Sequence, residues 1–207
     1  MVDRRLHYLF ALFCFLYLSR ISSCKAVAGS FCSFNNDSIR ERHNDLRMKH
    51  NADPLHWSTH LEEAASAEAK LIKDMSNCTV LVNQINTNYF TISTKSKIES
   101  AVDTWYEGIN NYDFELGPIR RGDDTVFEFT RVVWNSAEHI GCSSACCGNR
   151  GVLICKYDNN TNQPGHFADN VGTLDPMFVW ENFAFAPEQR RPGSETSQND
   201  LPPLPIS

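Results

Sequence analysis

Seven histidines and eight cysteines carry most of the chemical potential of this 207-residue chain. His43 falls among apolar residues at helical spacing and reads as a packing histidine. His56 and His60 stand at i, i+4, the spacing at which one helix face offers two imidazoles to a metal. Pro54 and a capping signal at Thr59 put His56 ahead of the helix start, which removes the shared face. Ser136 and Ser143 lie near His139 on an expected strand, where adjacent residues alternate faces and no ordered triad follows. No G-x-S-x-G elbow occurs. Asp37, Glu41 and Asp45 read as a solvated run that favours the start of a helix. These patterns predict no catalytic residue, no metal ligand set and no cofactor.

The cysteines speak of a compartment. The stretch from Leu6 to Leu18, behind Arg4 and Arg5, is apolar for about a dozen residues, which suits a signal peptide and is too short for a membrane span. Residues 1–24 are expected to be that peptide, with cleavage after Cys24 or after Ala28. Either cut removes Cys14 and Cys24 and leaves Cys32, Cys78, Cys142, Cys146, Cys147 and Cys155. Six is even and fits three disulfides in a secreted, extracellular protein, and six cysteines allow about 15 pairings. A disulfide set leaves no free thiol for nucleophilic chemistry. Acceptors for N-linked glycans begin at Asn36, Asn77 and Asn159. The net charge of −6 makes the chain a poor partner for nucleic acid and for anionic headgroups, both of which need Lys and Arg. No second long apolar run predicts a membrane span.

The elements that position these residues follow from pattern. Ser38-x-x-Glu41 is a capping box, and Ile39, His43, Leu46 and His50 recur at helical spacing behind it. Asn51-Ala52-Asp53-Pro54 ends that helix. Thr59-x-x-Glu62 opens a second, rich in Ala and Glu. From Asn77 to Thr94, β-branched and aromatic residues with asparagines between them suggest an irregular loop with a short strand. A third helix is expected from about Ser96 to Asn111, and a short helix or extended segment over Phe127–Trp134. Glu138–Cys146 and Gly151–Tyr157 read as two strands joined by a turn at Cys147–Arg150. Helices followed by strands predict α+β or an αβα sandwich. The last 21 residues, 187–207, hold five prolines and read as disordered.

Five motifs in order carry a resemblance. They are His43-Asn44-x-x-Arg47, Pro54-Leu55-x-Trp57, Trp105-Tyr106, Phe129-Thr130-Arg131-Val132-Val133-Trp134, and Ile140-Gly141-Cys142 with Ile154-Cys155-Lys156-Tyr157. From about Ile39 to Asn162 the chain resembles the CAP superfamily: the cysteine-rich secretory, antigen 5 and pathogenesis-related proteins, also called SCP/TAPS. Its style is similar to the secreted venom allergen-like proteins of parasitic worms. The resemblance implies a disulfide-stapled αβα sandwich, with a CAP domain over residues 25–162 and a C-terminal extension over 163–207 that is largely disordered beyond about 187. It implies the disulfides Cys142–Cys155 and Cys78–Cys146, with Cys32–Cys147 as the remaining pair. Vicinal Cys146 and Cys147 can exchange roles.

The family's two-His, two-Glu tetrad, often able to bind a divalent metal, is lost here position by position. Val82 stands for one histidine and Gly108 for the glutamate of W-Y-x-E. No acid or histidine lies between Cys78 and Lys97, where the second glutamate belongs. Glu128 replaces the remaining histidine, and Arg131 the glutamine after it. One carboxylate cannot make a structural or catalytic zinc site, in which three or four protein ligands converge. Glu128 and Arg131, at i, i+3, are expected to form an ion pair instead.

The resemblance further implies a secreted, non-enzymatic carrier of fatty acid or sterol. Ile39, His43 and Leu46 mark one wall of the expected apolar cleft. Phe127, Phe129 and Val133 mark the other, and Tyr89 and Phe90 the expected sterol contact. A palmitate tail of about 15 methylenes at roughly 0.8 kcal/mol each makes micromolar binding attainable without charge pairing. The alternative is a module directed at a host protein, interacting or immunomodulatory, without a lipid.

Overall fold

The computed structural model describes residues 30–81, 83–118 and 124–178. The expected signal peptide and the proline-rich tail lie outside them. The chain divides into a unit ending at Leu174 and a second one from Asp175. In the second, Met177 N donates to Asp175 Oδ1 at 2.8 Å, and Phe178 N donates to the Asp175 carbonyl at 3.0 Å. The rest of the fold belongs to the first.

Helix α1 spans Asn36–Met48. Its cap is Asn35, whose side chain accepts from Ser38 N at 3.1 Å, so the helix starts before the expected capping box at Ser38. After the short strand β1 (His56–Trp57), helix α2 runs over Thr59–Ser76, capped by Ser58, and ends at a left-handed Asn77. Strand β2 takes Thr87–Ser93. The expected third helix is a broken one: a 3-10 turn at Ile98–Ser100, helix α3 over Ala101–Tyr106, and a second 3-10 turn over Glu107–Asn111. Strands β3 (Tyr112–Asp113) and β4 (Gly117–Pro118) pair antiparallel. Helix α4 (Asp124–Val133), strands β5 (His139–Cys147) and β6 (Arg150–Tyr157), and the single turn α5 (Phe167–Asn170) complete the order.

The main sheet has the order β1-β5-β6-β2, with β1 parallel to β5 and the other pairs antiparallel. Along β6, Val152 and Ile154 join Ala65 and Ala69 of α2 on one face, while Leu153, Cys155 and Tyr157 join α1, α3 and α4 on the other. This is the αβα sandwich, and burial of both sheet faces is why β6 reads as a continuous apolar run. Gly141 brings α2 against β5: a Cβ there would lie 2.2 Å from Glu62 N. The packing continues past Asn162, since Val171 belongs to the core and Phe167 packs against it.

The disulfides are Cys142–Cys155, Cys32–Cys146 and Cys78–Cys147. The first agrees with the expectation. The other two correct Cys78–Cys146 and Cys32–Cys147 by exchanging the vicinal partners. Strand alternation decides the matter, because adjacent residues of β5 point to opposite faces. Cys147 lies on the α2 face with Cys78, and Cys146 on the opposite face with Cys32.

Candidate functional site

The motif residues meet in the interior, and most of them hold the fold. Asn44 Nδ2 donates to the Leu55 carbonyl at 3.1 Å and its Oδ1 accepts from Leu55 N at 2.7 Å, which fixes the turn before β1. The Arg47 guanidinium is fully buried and donates to the carbonyls of Asp53 (2.6 Å), Trp134 (2.8 Å) and Ala137 (2.9 Å), tying α1 to the segment after α4. Desolvation lowers its pKa to about 10, and it remains a cation at neutral pH. Trp57 Nε1 donates to Glu62 at 2.8 Å, and Trp105 Nε1 to the Tyr89 carbonyl at 3.0 Å.

A directed chain of hydrogen bonds runs through the core from Arg131 of α4 to His43 of α1. Arg131 Nη1 donates to Asn88 Oδ1 at 3.1 Å. Asn88 Nδ2 donates to the Glu128 carbonyl at 3.0 Å and to the Tyr157 hydroxyl at 3.3 Å. The Tyr157 hydroxyl meets His43 Nε2 at 2.8 Å, and His43 Nδ1 meets the Ile39 carbonyl at 2.8 Å. A carbonyl only accepts, so Nδ1 carries the proton and Tyr157 donates to Nε2. Burial pushes His43 down to about 4, and the imidazole is neutral. The Tyr157 hydroxyl is raised by the same desolvation.

Glu128 and Arg131 do not form the expected ion pair: Arg131 turns to Asn88, and no pair between the two charges occurs within 4.0 Å among the described residues. Desolvation raises Glu128 to about 7 against the opposing pull of Arg131. Arg131 keeps a buried Nε without a hydrogen-bond partner. Gly108 is closed as a ligand position as well. A Cβ there would lie 2.1 Å from the Thr125 carbonyl oxygen and 2.9 Å from Phe129 Cβ, because α4 packs directly on the turn that holds Gly108.

Most residues of the expected cleft walls are buried. Ile39, Leu46, Phe129 and Val133 share one core cluster, with His43 buried beside them, and each of these five is 3% exposed or less. They leave the α1–α4 seam shut. Phe127 is half-buried, with its ring 6.2 Å from that of Phe167. Tyr89 and Phe90 lie inside β2 and are largely buried.

An open apolar feature lies on the other side of the sheet. A groove of about 200 Å3 runs between α2 and the segment after it, lined chiefly by Leu71, Ile72, Met75 and Leu81. Leu71, Met75 and Leu81 are 55%, 77% and 76% exposed. Glu68 and Gln84 supply its polar end. Tyr89 anchors that end, since its hydroxyl donates to Glu68 and accepts from Gln84 N at 3.3 Å, while Lys156 Nζ pairs with Glu68 at 2.6 Å. The spacing of Leu71 to Met75, one turn along an α2 face that the sheet does not cover, was the signal for this groove.

Of the glycan acceptors, Asn77 and Asn159 are exposed, and Asn36 is half-buried with its Nδ2 3.3 Å from Glu62. Among the described residues no helix is long and apolar enough to cross a membrane.

An αβα sandwich with three disulfides, built on these motifs, defines a CAP-domain protein. CAP, the cysteine-rich secretory protein family, matches residues 40–157, and the chain belongs to that family. It is 34% identical over 74 residues to cysteine-rich secretory protein 3 of Homo sapiens, a match covering 34% of this chain and 30% of that protein. It is 28% identical over 163 residues to glioma pathogenesis-related protein 1 of Mus musculus, covering 70% and 62% respectively. The chain thus spans less than two thirds of either relative. Among solved structures, venom allergen-like protein 4 of Schistosoma mansoni shares the fold at a TM-score of 0.51 and 24% identity, over 70% of this chain and 99% of that one.

Proposed function

We propose that this CAP-domain protein is a secreted, non-enzymatic carrier of a fatty acid or sterol, and that the ligand enters the groove beside α2. The observation that supports this most is the contiguous exposure of Leu71, Met75 and Leu81 around an apolar depression. Soluble proteins scatter exposed apolar side chains singly, and a cluster rimmed by polar groups marks a site. The groove of about 200 Å3 is smaller than the usual small-molecule site of about 300–1,000 Å3. It therefore takes part of an acyl chain or one edge of a sterol, and the remainder lies along Leu71 and Met75. A headgroup hydroxyl finds donors and acceptors at Gln84 and Glu68. The closed seam between α1 and α4 would receive a chain only by parting Ile39 and Leu46 from Phe129 and Val133.

The test is equilibrium binding of labelled palmitate and cholesterol to the disulfide-bonded protein and to Leu71→Asp/Met75→Asp. Both replaced side chains are exposed, so the variant keeps its fold, which circular dichroism verifies. The expected result is saturable binding by the natural sequence and at least a tenfold loss in the variant. Unchanged binding by the folded variant would move the site to the α1–α4 seam. No uptake of either lipid would reject the carrier reading and leave the host-directed protein-interaction module.

A further inference from the structure

His56 and His139 are register partners in the parallel β1–β5 pair, so their side chains leave the same face of the sheet. Their ring centroids are 6.1 Å apart with the planes at 50°. Two imidazoles on one metal, each with a metal–nitrogen distance of about 2.0–2.1 Å, place their centroids roughly 5–6 Å apart. The observed pair is at the outer edge of that range before any rotamer adjustment, and exposed rings adjust readily.

One ring is already oriented. His139 Nδ1 lies 2.7 Å from Asp158 Oδ2. The other carboxylate oxygen, Oδ1, accepts the backbone N–H groups of Glu138 at 2.9 Å and of His139 at 3.0 Å. A carboxylate held by two amides selects the Nδ1–H tautomer of His139, and the lone pair of Nε2 is left free for a ligand. A carboxylate behind a histidine in this way orients metal-ligating imidazoles and raises their basicity. The His139 side chain is 44% exposed and His56 is exposed, so both nitrogens can be reached from solvent. Asp53 and Glu138 line the depression beside His56 and add negative field there.

We propose that His56 and His139 form an open two-imidazole site for a divalent cation of the Zn2+ or Cu2+ class, with Asp158 as the residue that positions His139. No group of three or more His, Cys, Asp or Glu converges on one point among the described residues. Water therefore completes the coordination, and the site exchanges its metal readily. Imidazole favours these borderline cations over Mg2+ or Ca2+. The pairing is invisible to local spacing, because His56 meets a partner from a distant strand and His60 sits apart in the first turn of α2.

Zn2+ titration of the full disulfide-bonded protein tests it, read by calorimetry and by the imidazole 15N resonances. Equimolar binding is expected, with the Nε2 resonance of His139 and a ring nitrogen of His56 shifting together. His56→Gln and His139→Gln should each weaken binding at least tenfold. Asp158→Asn should weaken it about ten- to a hundredfold, and His60→Gln should not change it. The proposal falls if the natural protein shows no saturable Zn2+ binding, or if binding survives in His56→Gln/His139→Gln. It falls equally if the shifted resonances belong to other histidines, a readout that stands even where a variant folds poorly.

Discussion

The hydroxyl of Tyr157 at the end of β6 lies 2.8 Å from Nε2 of His43 in α1, and both side chains are buried. One hydrogen bond thus joins the sheet to the helix layer through the core. Tyr157→Phe removes the hydroxyl that donates to His43 Nε2 and takes an acceptor from Asn88. Leaving a buried polar group unpaired costs about 1–3 kcal/mol. Urea denaturation is expected to show that loss at neutral pH, with an unchanged m-value.

The same imidazole gives a pH dependence whose sign is fixed. His43 titrates at about 4 in the folded chain and near 6.5 when unfolded, so the unfolded state binds more protons between those values. Its contribution to stability is complete above pH 6.5 and is lost as the pH falls toward 4. Glu128 acts oppositely: its folded value of about 7 exceeds the ordinary 4.5, so folding takes up a proton in that window. Glu128→Gln removes that uptake. The stability gained by the variant over the natural protein should be larger at pH 8 than at pH 4.5, as denaturation series at the two values would reveal. A constant difference would mean that Glu128 is not desolvated.

Much of this architecture is legible in the sequence. The apolar spacing of Ile39, His43 and Leu46 finds the buried face of α1, and the apolar run Val152–Cys155 finds β6. Strand β2 is less visible, since Tyr89 and Phe90 are both buried on opposite faces of a covered sheet and the asparagines before them read as loop. The expected cleft shows the limit more sharply. Periodicity identifies which residues are buried between α1 and α4, and says nothing of whether a gap separates them. The groove by Leu71 and Met75, and the His56–His139 pair, depend on what tertiary packing leaves uncovered or brings together.

Gly108 offers a test of the closed tetrad position. Its neighbours are the backbone carbonyl of Thr125 and Cβ of Phe129, which cannot rotate away as the end of a side chain can. Gly108→Ala is expected to cost about 3 kcal/mol, the upper end of ordinary overpacking. Gly108→Glu should unfold the domain before it supplies a carboxylate to the interior. Thermal melts of the two variants would check this, and a Gly108→Glu protein as stable as the natural one would show that α4 can move aside.

The exchanged disulfides make the last prediction. Cys32→Ser/Cys146→Ser removes one whole bond and leaves Cys78–Cys147 intact, so in the folded variant none of Cys78, Cys142, Cys147 and Cys155 should react with iodoacetamide. Cys32→Ser/Cys147→Ser leaves Cys78 and Cys146, which lie on opposite faces of β5 and cannot meet without turning the strand over. That variant should show two reactive thiols after mild denaturation. The bonds should also differ in what their loss costs. Cys32–Cys146 spans 114 residues and Cys142–Cys155 spans 13. Chain entropy assigns about 4.7 kcal/mol to a loop of about 100 residues and about 3 kcal/mol to one of about 15. Removing the first pair should therefore lower the denaturation midpoint more than removing the second. Equal thiol reactivity in the two vicinal variants would mean that Cys146 and Cys147 exchange partners, and that strand alternation does not govern the pairing.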